Sequence, residues 1–113
     1  GKDACLAWLR ARDAGLEVRS FFTMCDADAA SLSHALPRRW LARQVAACGV
    51  AWRPVDVPRA SGAYAAAFDA TLAALRADGH THAVFGDIDL AAHRDCIAPR
   101  VDAAGLVQVF PLW

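Results

Sequence analysis

Neither charge sign prevails in this chain: Lys plus Arg and Asp plus Glu number 12 each among 113 residues. A nucleic-acid-binding surface carries a basic excess that displaces counterions. The only local cluster, Arg38-Arg39, fits the solvated start of a helix, so nucleic acid is not expected as a partner. Long apolar runs are missing too. Although 57% of the residues are apolar, no uncharged stretch approaches the ~20 residues that cross a bilayer. No charged-then-apolar leader opens the sequence. Together these absences predict a cytoplasmic protein with no membrane partner. Cysteine pairs at metal-ligand spacing are also lacking. Cys5, Cys25, Cys48 and Cys96 stand about 20 or more residues apart, with no Cys-x-x-Cys and no Cys/His pair suited to zinc. Set among apolar neighbours, they read as small core residues in a reducing compartment. No internal repeat or low-complexity linker interrupts the chain, so residues 1–113 are read as a single domain, long enough to bury a core.

What is present is an alternation of helix and strand signals. Asp3 to Ala14 reads as a helix with Leu6 and Leu9 on its inner face and Gly15 as its stop. Glu17 to Met24 reads as a strand whose second half is continuously apolar, as in a parallel strand covered on both faces. Cys25 to Ser33 is small and polar, hence a loop. A helix over Leu36 to Cys48 takes Pro37 in its first turn, turns Leu41, Val45 and Cys48 inward, and ends at Gly49. Ala51 to Val57 is the next strand, closed by Pro58. From Ser61 or Gly62 a helix carries Tyr64, Phe68, Leu72 and Leu75 as one apolar stripe as far as Gly79. His82 to Ile88 reads as a buried strand that changes character at Gly86. A helix opening at Asp89 or Leu90 turns Ile97 and Val101 inward, passes Pro99 and stops at Gly105. Leu106 to Phe110 is a last short strand.

Such alternation with short connections predicts an α/β fold of βαβ units, with a parallel sheet sandwiched between helices. Ligands of these sheets sit beyond the carboxyl ends of the strands. The chemically interesting residues fall there: Lys2-Asp3; Asp26, Asp28 and His34; and Gly86-Asp87. At a helix N-terminus, unpaired N–H groups and a partial positive charge suit phosphate oxygens. Lys2 can neutralise phosphate charge, and Asp3 can hold Mg²⁺ or cap the helix. Asp87, at the end of an apolar strand, is costly to bury without partners, which favours a functional role. His80 and His82 read as structural, and His93 as half-buried and hydrogen-bonded at a helix opening. Trp8, Trp40 and Trp52 read as packing residues.

The ordered set of short segments resembles the diphthine–ammonia ligase family of ATP pyrophosphatases, within the adenine-nucleotide α-hydrolase-like group. Gly1-Lys2-Asp3 resembles the end of that family's pyrophosphate loop, Ser-Gly-Gly-Lys-Asp-Ser, with Ala4 where the loop often ends in Ser. Phe22-Thr23-Met24 is similar to its second strand, and Ser33-His34-Ala35-Leu36-Pro37-Arg38 to its His-containing loop, with Gln44 and Gly49 in step. Val84-Phe85-Gly86-Asp87-Ile88 is similar to its Val-Phe-Gly-Ala/Asp-Ile strand. His93-Arg94 falls at a polar-plus-Arg pair, and Phe110-Pro111-Leu112-Trp113 at the strand closing the nucleotide-binding half. The family's leading strand and the first two residues of its loop have no counterpart here.

The resemblance implies a three-layer α/β/α, Rossmann-like parallel sheet without its first central strand. That strand is expected between the one at 17–24 and the one at 82–88. It also implies ATP-dependent amidation: a carboxylate, free or borne on a protein, is adenylylated with loss of pyrophosphate, and ammonia then displaces AMP. On this reading Lys2, Asp3 and Asp87 are catalytic. Gly1, Lys2, Asp3 and Ala4 hold the phosphates of ATP, while Thr23, Met24 and Gly86 hold the rest of the nucleotide. Asp3 binds Mg²⁺, and His34, Arg38 and Arg94 bind the substrate, an arginine orienting its carboxylate. The alternative is a non-catalytic adenine-nucleotide-binding module of the same fold, as in universal stress proteins. Those place a Gly-rich phosphate loop late in the chain, and no such pattern follows Gly86. A tRNA-thiolating enzyme is disfavoured by zero net charge and the absence of Cys-x-x-Cys.

Overall fold

The structure is a computed structural model that describes residues 1–26 and 35–113. Among these residues four helices alternate with four strands: α1 (Lys2–Asp13), β1 (Ser20–Cys25), α2 (Arg38–Cys48), β2 (Ala51–Asp56), α3 (Ala63–Ala77), β3 (His82–Val84), α4 (Ala91–Ala103) and β4 (Val107–Val109). The α/β class and the parallel pairing expected from the sequence are present. The strands form two small sheets, β1 with β2 and β3 with β4, each parallel. Residues group into two compact units. A terminal unit comprises Gly1–Val18 and Asp69–Trp113, and a central unit Arg19–Phe68.

In the central unit, β1, α2 and β2 make one βαβ unit. Cα partners run from Ser20↔Ala51 to Cys25↔Asp56, and the Val57 N–H donates to the Cys25 carbonyl at 2.8 Å, carrying the ladder to Val57 as expected. Pro54 lies inside β2 opposite Thr23, tolerated where a strand has only one ladder partner. β1 begins at Ser20 rather than Glu17 and runs one residue past Met24, so Cys25 belongs to the strand and is fully buried. α2 starts at Arg38 with Pro37 as N-cap; it buries Leu41 and Val45 as the periodicity requires, while Cys48, expected on the same face, is half-buried. Trp40 is not a packing residue. It is 51% exposed, and the guanidiniums of Arg39 and Arg43 lie 5.7 and 5.3 Å from its ring.

The terminal unit holds the second βαβ, β3–α4–β4, with α1 packed on β3. Leu72 and Val101 are completely buried, with Leu75, Ile97 and Leu106 beside them in the core. The Arg100 guanidinium donates to Asp69 at 2.6 Å, tying α4 to α3. α4 continues through Pro99, which forgoes the N–H that would reach the Asp95 carbonyl. Gly105 ends α4 at φ 76°. Its N–H bonds the Asp102 carbonyl, and that of Leu106 bonds the Val101 carbonyl, a Schellman closure that turns the chain straight into β4. His80 Nδ1 lies 3.1 Å from the Leu75 carbonyl.

Two expectations are corrected in this unit. β3 is shorter than 82–88. The Phe85 N–H still reaches the Val109 carbonyl at 2.9 Å, but Gly86 to Leu90 leave the ladder, and Ile88 is 47% exposed. α1 buries Ala7 and Ala11, while Leu6 and Leu9 stand 44% and 37% exposed. Small residues at that face let α1 approach β3 closely, and leucines there would hold it away. Leu6→Ser should therefore change stability by no more than about 0.5 kcal/mol in urea unfolding, the scale of surface substitutions.

Candidate functional site

The site is built from the carboxyl end of β3 and the first turn of α1. Gly1 is the N-cap of α1 and makes no side-chain cap bond, so Asp3 is not the cap but the second helical residue. It stands in the first turn, where a carboxylate favours the helix dipole. The first three N–H groups of a helix have no partner within it; here the first intrahelical bond comes from the Cys5 N–H to the Gly1 carbonyl at 3.2 Å. Lys2 Nζ lies 2.6 Å from Asp3 Oδ1, with side chains 86% and 39% exposed. A pair so open to water adds little to stability, and both groups remain accessible to a ligand.

Gly86 meets this turn directly. A Cβ built on Gly86 would lie 2.8 Å from the Ala4 nitrogen, 2.9 Å from the Asp3 carbonyl carbon and 3.0 Å from the Ala4 Cα. No side chain fits there, because the obstruction is backbone. Glycine is thus demanded by the approach of helix to strand end, the arrangement by which glycines let a backbone come close in phosphate-binding folds. Asp3 and Ala4 are in this way brought against Gly86, with Gly1-Lys2 and Asp87 next to them along the chain.

Asp87 follows immediately. Its side chain is 17% exposed and contacts Nδ1 of His93, in the first turn of α4, whose side chain is 49% exposed. The burial expected of Asp87 therefore has its partner in His93. The pairing itself was not read from the sequence. The usable signal was an acid at a strand end with a histidine one loop later, at the start of the following helix. Arg94, the next residue, has its guanidinium 5.0 Å from the Phe110 ring and 4.6 Å from the Trp113 ring. Phe110 in turn stacks on Phe85 at 5.3 Å, and Arg10 Nη1 donates to the Pro111 carbonyl at 3.2 Å. A guanidinium stacked on rings uses its faces and leaves its in-plane N–H groups able to donate.

The remaining expected site residues belong to the central unit. Thr23 Oγ1 accepts a bond from Trp52 Nε1 at 3.2 Å. Met24 is a core side chain, 8% exposed, so what it presents to a ligand is backbone. Arg38, the first residue of α2, donates to Asp56 at the carboxyl end of β2; this bond pushes the guanidinium pKa further up. Cys25 pairs in register with Asp56. Burial pushes its thiol pKa up, Arg38 works against that, and Asp56 adds to it. A buried thiol held in its neutral form reacts slowly. Titration of the native protein with a disulfide reagent should modify the exposed Cys96 rapidly and Cys25 only on unfolding. His34 and Asp28 lie outside the described residues.

Among the described residues no group of three or more His, Cys, Asp and Glu is poised to hold a metal ion. A protein-only cage is not what Mg²⁺ requires on a nucleotide, since one or two carboxylates and phosphate oxygens suffice. Asp3, a carboxylate still 39% exposed in a helix first turn, fits that role. No helix among the described residues is long and apolar enough to cross a membrane. No family model, curated protein or solved structure matches the chain.

Proposed function

We propose that this chain is the ATP-binding part of an ATP-dependent carboxylate–ammonia ligase resembling the diphthine–ammonia ligases. Its fold would be the three-layer sheet of the adenine-nucleotide α-hydrolase-like group. The observation that carries the reading is the seat of α1's first turn on Gly86, which gathers Gly1 to Ala4 and Asp87 at one strand end. A glycine forced by backbone approach, a helix N-terminus, an exposed lysine and two carboxylates form a set suited to a polyphosphate and its metal.

In the reaction, the substrate carboxylate attacks the α-phosphorus of ATP and pyrophosphate departs. The resulting mixed anhydride has a good leaving group, which a free carboxylate lacks. Lys2 and the first-turn N–H groups neutralise charge on the departing pyrophosphate, a contribution that grows as charge develops. Asp3 is the residue that would hold Mg²⁺, which would supply further positive charge beside the phosphates. Arg94 orients the acid through its in-plane donors.

The test is product stoichiometry. The protein incubated with ATP, Mg²⁺, ammonium and a panel of carboxylic acids should release pyrophosphate and AMP in equal amounts, and only with the right acid. ADP and phosphate as products would sink the ligase reading. ATP bound without turnover across the panel would leave the non-catalytic nucleotide module as the function.

A further inference from the structure

Asp87 and His93 do more in this geometry than satisfy each other's hydrogen bonds. The Asp87 side chain is 17% exposed and that of His93 49%. The Nδ1 nitrogen meets the carboxylate. A carboxylate only accepts, so this contact requires the proton on Nδ1. In the neutral ring, Nε2 is then left with its lone pair, on a side chain that is 49% exposed. Asp87 follows Gly86, whose backbone meets the first turn of α1, and His93 stands in the first turn of α4.

We propose that Asp87 and His93 are a proton-accepting dyad, in which Asp87 orients the ring and His93 Nε2 deprotonates the attacking amine. The proposal rests on the ligase reading above and assigns it the nucleophile, ammonium taken from solution. Ammonium has no lone pair and cannot attack. Nε2 takes one of its protons, giving ammonia and an imidazolium whose charge Asp87 balances. The ammonia lone pair forms the C–N bond at the acyl carbon of the adenylate. The bond from that carbon to the phosphate oxygen breaks, and AMP leaves with the electron pair. The nitrogen then loses one more proton to solvent, and the imidazolium returns its own to solvent. In this scheme His93 is the catalytic residue and Asp87 the positioning residue.

Two measurements test it. Nitrogen NMR of the ¹⁵N-histidine-labelled protein, at a pH where the rings are neutral, should show His93 protonated at Nδ1 and bare at Nε2, and Asp87→Asn should abolish that preference. A wild-type His93 protonated at Nε2 overturns the dyad. The second measurement compares nucleophiles, using acetate, succinate and glutamate as probe acids. Hydroxylamine is largely uncharged at neutral pH and needs no base to free its lone pair. His93→Gln should lower ammonium-dependent amide formation about 100-fold while lowering hydroxamate formation less than about threefold, the gap expected of a lost general base. Equal losses with both nucleophiles mean a purely structural pair and overturn the proposal. A wild type that gives no hydroxamate from any probe acid overturns the ligase reading and the nucleophile with it, while the ring tautomer reports on the dyad independently.

Discussion

Lys2→Ala and Asp3→Ala should each lower pyrophosphate release about 100-fold, the ~3 kcal/mol that follows loss of a contact made mainly in the transition state. Their effect on folding should be far smaller. The Lys2–Asp3 pair is solvent-exposed, and Asp3 makes no cap bond. What Asp3 contributes to α1 is its charge near the dipole, worth about 0.3–1 kcal/mol. The two substitutions should also separate by mechanism. Lys2→Arg retains the charge and should restore most of the rate, whereas Asp3→Asn loses the anionic ligand and should respond to raised Mg²⁺. Steady-state pyrophosphate release, set beside urea unfolding of the same variants, makes the comparison. Wild-type turnover in a folded Asp3→Ala protein would remove Asp3 from the mechanism.

Gly86→Ala should destabilise the terminal unit by about 2 kcal/mol, within the usual range for overpacking, and lower Tm by about 8 °C. The added methyl would stand 2.8 Å from the Ala4 nitrogen, against backbone that no rotamer change can clear. Relief requires the first turn of α1 to move, so nucleotide affinity should fall together with stability. Gly105→Ala provides the contrast. There the new Cβ would meet nothing closer than Arg76 Nε at 3.6 Å, and the cost is the left-handed backbone at φ 76°, about 1 kcal/mol. ATP binding should be untouched in that variant. A Gly86→Ala protein as stable as wild type would show that α1 does not rest on this strand end.

Local features of the fold are legible in the residues themselves. Of the apolar stripe Tyr64, Phe68, Leu72 and Leu75 in α3, the last three are buried as the helical period demands, whereas Tyr64 is 47% exposed. Ile97 and Val101 in α4, and Leu41 and Val45 in α2, follow the same rule. Glycines after α1, α2, α3 and α4 mark where each helix stops, because a left-handed residue there closes the last turn. Strand identity and parallel pairing follow from the alternation itself. Periodicity misleads where hydrophobicity and burial part company. Leu6 and Leu9 are the more apolar residues of α1, yet Ala7 and Ala11 face the core. Which face turns inward depends on how near the neighbouring strand lies, and a near strand selects small side chains.

By itself, then, the amino-acid order determined the elements, their class and the clustering of polar residues at strand ends, since these depend on contacts within a few residues. Tertiary structure decided the rest. It ended β3 at Val84, short of Gly86, which meets the first turn of α1. It divided the strands into two parallel pairs and committed Arg38 to Asp56. It also set His93 against Asp87 across a loop. Each of these is a meeting between residues distant along the chain or carried on different elements, and no periodicity or local propensity encodes such a distance.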